Sequence, residues 1–331
     1  MVRSGAQFSI IRSRKVAPPR SPRAHDCIRL ENPGGLASIL RPKTILRNAV
    51  RSVPALNQLL FLKGAIKGHF YSPVPSLREL RTRHRSIFGN IPREIAGIDL
   101  SETEQLRLAL ELVDRFYKEQ PFSDEFLSTG QFTWSDAITL HSMIRHSAPS
   151  RVIEIGSGRS SLVTLETNRR FFGDTIKCTL IEPYPSIQVR RAVHEYRNVA
   201  LVENQVQDVT LDTFAQLEPA DILFIDSSHV SKVGSDVNHI FFEILPRLQS
   251  GVRIHFHDIF YPFEYPEDWI FHEGRAWNEA YLLRAFLQFN PSYTILLWMN
   301  YLIRFHRESF QVCAPLLLND PGGSIWLQKI G

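Results

Sequence analysis

Short apolar runs alternate with amphipathic segments along the second half of the chain. The runs predict strands at 151–155, 176–182, 199–206, 221–226, 251–257, 293–300 and 324–329. Helical periodicity between them predicts helices near 159–170, 185–196, 231–245 and 276–289. Strands that alternate with helices indicate a mostly parallel sheet covered by helices on both faces, which is the doubly wound α/β class. The last two strands follow each other without a long helical pattern between them.

The pattern divides the chain into three regions. Residues 1–30 are predicted to be a disordered basic N-terminus. Residues 31–130 are predicted to form a helical and irregular extension, because prolines interrupt their short apolar runs. Residues 131–331 contain the alternating strands and helices, and they form the predicted main domain.

Two further helices are predicted ahead of the first strand. Ser101 and Glu104 have the spacing of a capping box, and the apolar residues that follow recur on one helical face. The second helix covers about 135–146, and the aromatic residues Phe132 and Trp134 precede or open it. These aromatic residues either cover a ligand or anchor the helix to the core.

Composition narrows the class of protein. Of 331 residues, 44% are hydrophobic and 22% are charged, which is typical of a soluble globular protein. No apolar run approaches the roughly 18–20 residues that a membrane helix needs. The three cysteines have no metal-binding spacing, so a reducing, cytoplasmic location is expected. The formal charge of +4 is concentrated in residues 1–25, which hold no acid, so a nucleic-acid partner is disfavoured.

The first predicted strand turns sharply into a helix. Glu154 lies near the end of the strand, and Gly156 and Gly158 follow it. Glycine permits a tight turn and a close approach of a ligand to the backbone. The pattern is not the dinucleotide fingerprint, because Ser161 stands where a third glycine is expected. An acid near this turn would also repel a pyrophosphate.

Polar residues also end the next two strands. In a doubly wound sheet, ligands bind at the carboxyl ends of the strands. Glu182 ends the second predicted strand, and an acid there can accept hydrogen bonds from ribose hydroxyls. Gln207 and Asp208 follow the third strand, where an acid or an amide can accept from an adenine amino group. Each acid alone could also be a solvated strand end.

Strands four and five end in clusters of ionisable residues. Asp226 and Asp258 are expected on neighbouring strand ends, from which they can hold one hard cation such as Mg²⁺. His257 is a softer ligand that suits Zn²⁺, Fe²⁺ or Mn²⁺. His229 has the ordinary pKa of a general base, although Asp226 could be a helix cap and His229 a surface residue. His255 is interpreted as a core histidine.

The Glu-x-Gly-x-Gly turn resembles the first motif of the class I S-adenosylmethionine (SAM) methyltransferases. The resemblance covers about residues 130–331. It implies a Rossmann-like, mostly parallel seven-stranded sheet with one antiparallel late strand. It also implies SAM as the cofactor. The residues implied to bind it are Glu154, Gly156, Gly158, Glu182 and Asp208.

The sequence Asp226-Ser227-Ser228-His229 resembles the Asp-x-x-His motif of metal-dependent sugar O-methyltransferases. In those enzymes an acid after strand four and an acidic pair after strand five hold a divalent ion. The resemblance implies a metal site formed by Asp226, His257 and Asp258, and catalytic roles for His229, Asp226 and His257. The chain departs from the pattern because His257 replaces one acid of the pair. Either the metal is not Mg²⁺ but Mn²⁺ or Fe²⁺, or His257 is an acid/base group and no metal binds.

These patterns predict a SAM-dependent methyltransferase that acts on a hydroxyl of a small molecule or a carbohydrate. The aromatic and acidic stretch 260–269 is the candidate substrate loop. One alternative is a metal-dependent enzyme of the same fold that resembles the cephalosporin hydroxylases. A second is a nucleic-acid-binding or RNA-modifying protein that uses the basic N-terminus. A NAD oxidoreductase is disfavoured by Glu154 and by the missing third glycine.

Overall fold

The computed structural model describes residues 68–69, 71–129 and 131–331. The N-terminus predicted to be disordered, residues 1–30, lies outside the described residues, and the domain boundaries near 30 and 130 stay predictions. The helices are α1 (Leu77–Thr82), α2 (His84–Ile87), α3 (Glu102–Phe116), α4 (Asp124–Ser128), α5 (Trp134–Ser147), α6 (Arg159–Phe172), α7 (Ile187–Glu195), α8 (Asp212–Ala215), α9 (Asp236–His239), α10 (Glu267–Phe271), α11 (Glu279–Leu287), α12 (Met299–Phe305) and α13 (Arg307–Gln311).

A seven-stranded sheet forms the centre of the molecule. Its strands are β1 (Arg151–Ile155), β2 (Lys177–Ile181), β3 (Val199–Val202), β4 (Ile222–Ile225), β5 (Arg253–Phe256), β6 (Tyr293–Trp298) and β7 (Ile325–Lys329). Their order in the sheet is β3-β2-β1-β4-β5-β7-β6. The first five strands are parallel, and β7 runs antiparallel to both β5 and β6. The predicted doubly wound, mostly parallel fold is therefore confirmed.

The strand order brings the ends of β1 and β4 together. Gly156 has a φ of 81°, and a Cβ atom there would lie 1.9 Å from the backbone oxygen of Asp226. Only glycine fits so close to another backbone. The backbone N–H of Asp226 donates to the oxygen of Ile155 at 2.8 Å, which continues the pairing of the two strands. The turn after β1 and the first residue after β4 are thus fixed against each other.

Several predicted boundaries are wrong by a few residues. The third strand was expected to reach residue 206, but β3 ends at Val202 and a 3₁₀ turn forms at Val206–Asp208. The helix expected from 231 begins only at Asp236, because the preceding residues form a loop over the sheet edge. The capping box is also wrong: Ser101 has a φ of 48° and its side chain caps nothing.

Helix α3 packs against the sheet rather than standing apart from it. Its buried face includes Leu108 and Leu112, which join the same hydrophobic core as the central strands. The side chain of Gln105 accepts a hydrogen bond from the backbone N–H of Trp298, at the end of β6, at 2.6 Å. Among the described residues, no helix is both long enough and apolar enough to span a bilayer.

Candidate active site

A cavity of about 560 Å³ opens at the carboxyl ends of β1, β2 and β4. This strand-end cavity has the size of a small-molecule site. Gly156 and Glu182 line one side, and Asp226 lines another. Lys232 and Asp236, from the loop after β4 and the start of α9, complete the wall.

Glu182 is held at the cavity by backbone donors. Its Oε2 accepts from the N–H of Ser157 at 3.1 Å, and its Oε1 accepts from the N–H of Tyr184 at 2.8 Å. The carboxylate therefore bridges the turn after β1 and the turn after β2. Tyr184 stands at the rim with 83% of its surface exposed. This geometry leaves the lone pairs of Glu182 that the backbone does not use available to a ligand.

Glu154 and Gly158 lie near the cavity but do not line it. Glu154 is fully buried beneath the first turn of α6, where Ser160 Oγ donates to its Oε1 at 2.5 Å. Burial raises the pKa of Glu154 to about 8. Its Oε2 has no hydrogen-bond partner among the described residues. Gly158 caps α6, and a Cβ atom there would meet nothing within 4 Å.

Asp208 is not brought to the cavity. It is exposed at the end of the 3₁₀ turn that follows β3. The neighbouring residues Gln205, Val206 and Gln207 line the cavity instead. Gln207 is fixed in place because its Nε2 donates to the backbone oxygen of Gly234 at 2.8 Å. Of the two residues that the sequence offers at this strand end, the amide Gln207 therefore lines the cavity and Asp208 does not.

Three side chains converge beside the cavity: Asp226, His229 and Asp258, here called the acid–histidine cluster. One ligand atom from each lies within 4.8 Å of the others. His229 Nε2 is 3.3 Å from Asp226 Oδ1 and 3.5 Å from Asp258 Oδ2. His229 and Asp258 have φ values of 60° and 58°. Such backbone strain in residues other than glycine is concentrated at functional sites.

Glu279 holds the histidine of the cluster from the other side. Its Oε2 is 2.8 Å from His229 Nδ1, and its Oε1 accepts from Ser227 Oγ at 2.8 Å. Glu279 is buried, so its carboxylate fixes the orientation of the ring. The ring of Trp277 lies 4.3 Å from that of His229 and covers it.

The charges of the cluster depend on one another. Burial alone would lower the pKa of His229, but hydrogen bonds to Asp226 and Glu279 and their charges raise it to about 10. Burial would raise the pKa of Asp226, yet its hydrogen bond with His229 and the charges of His257 and His229 lower it. Burial raises the pKa of Asp258, and the charges of His257 and His229 oppose that rise.

His257 lies next to the cluster but outside the converging set. Its Nε2 is 3.5 Å from Asp258 Oδ1, and its ring lies 5.1 Å from that of Phe132. Its Nδ1 has no partner among the described residues. The side chains that converge therefore include His229, whereas the metal set expected from the sequence, Asp226, His257 and Asp258, stays a prediction. Phe132 is buried here, so it anchors the core rather than covering a ligand.

Sequence reasoning missed several residues of this region. Glu279 and Trp277 lie about fifty residues after His229, and only the fold brings them to it. Asp236 was also missed. Its carboxylate accepts from the backbone N–H and the hydroxyl of Ser228 at 2.7 and 2.6 Å. Asp136 is a buried acid whose pKa burial raises to about 6, and it accepts from the N–H of Gly323.

Comparisons with known proteins agree with this architecture. Residues 153–259 match a family described as a methyltransferase domain. An uncharacterized protein of Archaeoglobus fulgidus is 41% identical over 161 residues, which cover 46% of this chain and 72% of that protein.

Two solved structures are similar at low identity. The SAH-bound methyltransferase PaMTH1 of Podospora anserina has 18% identity and a TM-score of 0.39, over 78% of this chain and 98% of that one. A putative caffeoyl-CoA O-methyltransferase from Staphylococcus aureus has 16% identity and a TM-score of 0.33, over 70% and 100%. Structural similarity at this level does not identify the substrate of this chain.

The sheet order and the matched domain define the class of protein: it is a SAM-dependent methyltransferase. Within that class, the chain belongs to the same family as the protein of Archaeoglobus fulgidus.

Proposed function

We propose that the protein transfers the methyl group of SAM to a hydroxyl oxygen of a small-molecule or carbohydrate acceptor, assisted by a divalent cation. The position of Asp226 carries this proposal. Its side chain lines the strand-end cavity and also belongs to the acid–histidine cluster. Direct transfer needs donor and acceptor atoms about 3–3.5 Å apart, and a residue shared by the two sites satisfies that requirement.

The cavity offers a group for each part of the cofactor. Glu182 accepts hydrogen bonds from the ribose hydroxyls. The turn at Gly156 receives the amino-acid end of SAM, and Gln207 contacts the adenine in place of Asp208. Glu154 and Gly158 shape this turn from below. The proposal is supported by the backbone donors that hold Glu182 and by the hydrogen bond that holds Gln207.

The distances within the acid–histidine cluster support a shared cation. Hydrogen bonds between a charged nitrogen and a carboxylate measure about 2.7–2.9 Å. The separations of 3.3 and 3.5 Å around His229 Nε2 are longer. Bonds of about 2.1 Å to one cation place neighbouring ligand atoms roughly 3.0–3.4 Å apart. The separation of 3.3 Å falls in this range, and one ligand atom of each residue lies within 4.8 Å of the others, so the cluster leaves room for one shared cation.

The types of ligand atom in the acid–histidine cluster also suit a divalent cation. Two carboxylates and one imidazole suit Mn²⁺ or Fe²⁺ better than Mg²⁺. Glu279 accepts the Nδ1 proton of His229, so the Nε2 lone pair faces Asp226 and Asp258, as in carboxylate–histidine–metal groups. When bound, the cation would lower the pKa of the acceptor hydroxyl. Trp277 keeps water away from His229.

A second version of the mechanism uses His229 as a general base without a cation. In that version Nε2 takes the proton of the acceptor, while Asp226 and Asp258 orient the ring and the acceptor. The raised pKa of His229, about 10, opposes both versions, because a protonated Nε2 neither accepts a proton nor binds a cation. In the cation-assisted version the cation competes with that proton for Nε2. The convergence of Asp226 and Asp258 on Nε2 is the observation that supports the cation-assisted version.

A titration of SAM by calorimetry, with and without Mg²⁺ or Mn²⁺, tests the proposal together with a methyl-transfer assay. We expect Asp258→Asn to retain SAM binding and to lose roughly 10²–10⁴-fold in transfer rate. A chelator should produce a similar loss in the native protein. Asp208→Asn is the matched control, because that acid lies outside the cavity.

Three results separate the alternatives. Transfer that survives a chelator would assign His229 as the base and remove the cation. Oxygen consumption in place of methyl transfer would favour the hydroxylase-like alternative, which needs a redox metal. Failure to bind SAM at all would contradict the cofactor site proposed in the strand-end cavity.

A further inference from the structure

We propose that Arg275 binds an anionic group of the acceptor, so that the acceptor is a hydroxylated small molecule carrying a carboxylate or a phosphate. This inference rests on the proposed transfer to a hydroxyl at the acid–histidine cluster. It assigns the specificity of that site to one guanidinium in the segment between α10 and α11.

Two tryptophans hold the guanidinium. Its Cζ lies 4.0 Å from the ring centroid of Trp269 and 4.6 Å from that of Trp277. The two rings are 5.4 Å apart and cross at 78°, so the guanidinium lies in the angle between them. Such cation–π contacts fix an arginine without using its N–H donors. The backbone N–H of Arg275 also donates to the oxygen of Trp269 at 2.9 Å, which closes the segment into a compact turn.

Trp277 links this arginine to the reacting centre. Its ring centroid is 4.3 Å from that of His229 and 4.6 Å from the guanidinium carbon. One indole therefore separates Arg275 from the acid–histidine cluster. The charge of Arg275 also reaches the cluster, where it helps to oppose the burial that raises the pKa of Asp258. An acceptor hydroxyl at the cluster and an anionic group at Arg275 would both contact Trp277.

The donors of Arg275 are only partly occupied. Its Nε and Nη2 face one oxygen, Oε2 of Glu273, at 2.6 Å. Its Nη1 makes no hydrogen bond within the part of the chain that the structure describes. The side chain of Glu273 is 46% exposed and that of Arg275 is 23% exposed. Water competes with so open an ion pair, so a ligand that presents two oxygens can replace the single oxygen of Glu273.

The negative charges near Arg275 explain why an anionic acceptor would need a positive charge there. Asp226, Asp258 and Glu279 place three carboxylates around His229. Even with a divalent cation bound and His229 neutral, the three carboxylates leave a net negative charge, which repels an anionic acceptor as it approaches the cluster. A fixed guanidinium at the side of the cluster offsets that repulsion. Arg275 follows the aromatic and acidic stretch 260–269 that the sequence indicated as a substrate loop, and it contacts the last residue of that stretch, Trp269.

Binding of matched probes to the full chain tests the inference. Tryptophan fluorescence would be titrated with glucuronate, glucose 6-phosphate and glucose, because Trp269 and Trp277 flank the guanidinium. We expect the two anions to bind at least roughly tenfold more tightly than glucose. Arg275→Met should remove that preference, Arg275→Lys should restore part of it, and Glu273→Gln should strengthen anion binding.

Controls separate this inference from the function on which it rests. Arg247→Met is the control, since Arg247 also forms an ion pair with a half-exposed glutamate, Glu243, at 2.7 Å. SAM binding by calorimetry reports on the fold and on the cofactor site of each variant. Equal binding of glucuronate and glucose, no saturable binding of either anion up to about 10 mM, or an unchanged preference in Arg275→Met would each overturn the inference while SAM binding persists. If the native protein did not bind SAM at all, that result would instead refute the proposed function and the inference with it.

Discussion

The carboxyl edge of the sheet has two halves that are built differently. At the ends of β1 and β2 there is open space, and the carboxylate of Glu182 contacts only backbone N–H groups. At the ends of β4 and β5 the space is filled by charged side chains, and His229 lies within 3.5 Å of three carboxylates. The first half is a preformed cavity for a ligand with its own charge. The second half is a network in which each group sets the state of the others.

This difference determines how substitutions should act. In the cavity half, each contact to the ligand is separate, so a change should alter affinity for SAM and little else. In the cluster half, the groups share hydrogen bonds, so a change should alter the protonation of its neighbours and the rate of transfer. Asp226 lies in both halves. The comparison is therefore best tested at residues that do not belong to both, namely Glu279, Glu182 and Glu154.

Among these three residues, the largest effect on methyl transfer is expected for Glu279→Gln. The amide keeps the shape of the side chain but removes the charge that holds His229 Nδ1. Loss of such an outer carboxylate costs roughly 10–100-fold in metal affinity or activity. We expect that loss in the rate of methyl transfer, with SAM affinity unchanged. A calorimetric titration that showed weaker SAM binding with a normal rate would contradict the separation of the two halves.

In the metal-free protein, the difference in stability between the native protein and Glu279→Gln should depend on pH. The pKa of His229 is raised to about 10, so its stabilising contribution is complete below its unfolded pKa of about 6.5. That contribution is lost as pH rises from there through about 10. The difference in melting temperature between native protein and Glu279→Gln should therefore narrow over this range. A difference that stayed constant would show that the Glu279–His229 pair does not set the protonation of the ring.

The sequence predicts the sheet and the acids at its edge because both follow from local pattern. Each apolar run predicts a strand. The acids at the ends of these runs are Glu182, Asp226 and Asp258. The local pattern also gives His257, whose Nε2 lies 3.5 Å from Asp258 Oδ1, but its part in a metal site stays a prediction. Glu279 could not have been found, because its approach to His229 is a product of tertiary packing.

Asp208 shows a different limit. Its predicted role depended on the third strand reaching residue 206, and the four-residue strand β3 ends before that point. The chain then turns through a 3₁₀ segment, and this segment presents Gln207 to the cavity and Asp208 to solvent. A hydrophobic pattern predicts the position of a strand end least accurately. A shift of one residue moves a side chain to the other face of the sheet.

An intermediate effect is expected for Glu182→Gln. The amide has one accepting oxygen, so it can accept from the N–H of Ser157 or of Tyr184 but not from both, and its NH₂ group faces the other donor. It loses the charge that accepts hydrogen bonds from two ribose hydroxyls, and hydrogen bonds to charged groups are stronger than neutral ones. We expect roughly tenfold weaker SAM binding, measured by calorimetry, and a normal rate at saturating SAM. A reduced saturated rate would mean that Glu182 also acts on the cluster.

The smallest effect on activity is expected for Glu154→Gln, although the family resemblance implies that Glu154 binds the cofactor. Burial raises its pKa to about 8, from an ordinary value near 4.5, so the folded protein retains a proton that the unfolded chain loses. Stability should therefore fall as pH rises from about 4.5 through about 8. Glutamine is neutral and has no proton to lose, so melting curves of the variant should lack this slope. SAM affinity should change less than about twofold, because Glu154 does not line the cavity. A tenfold loss would instead mean that the buried carboxyl reaches the ammonium of SAM.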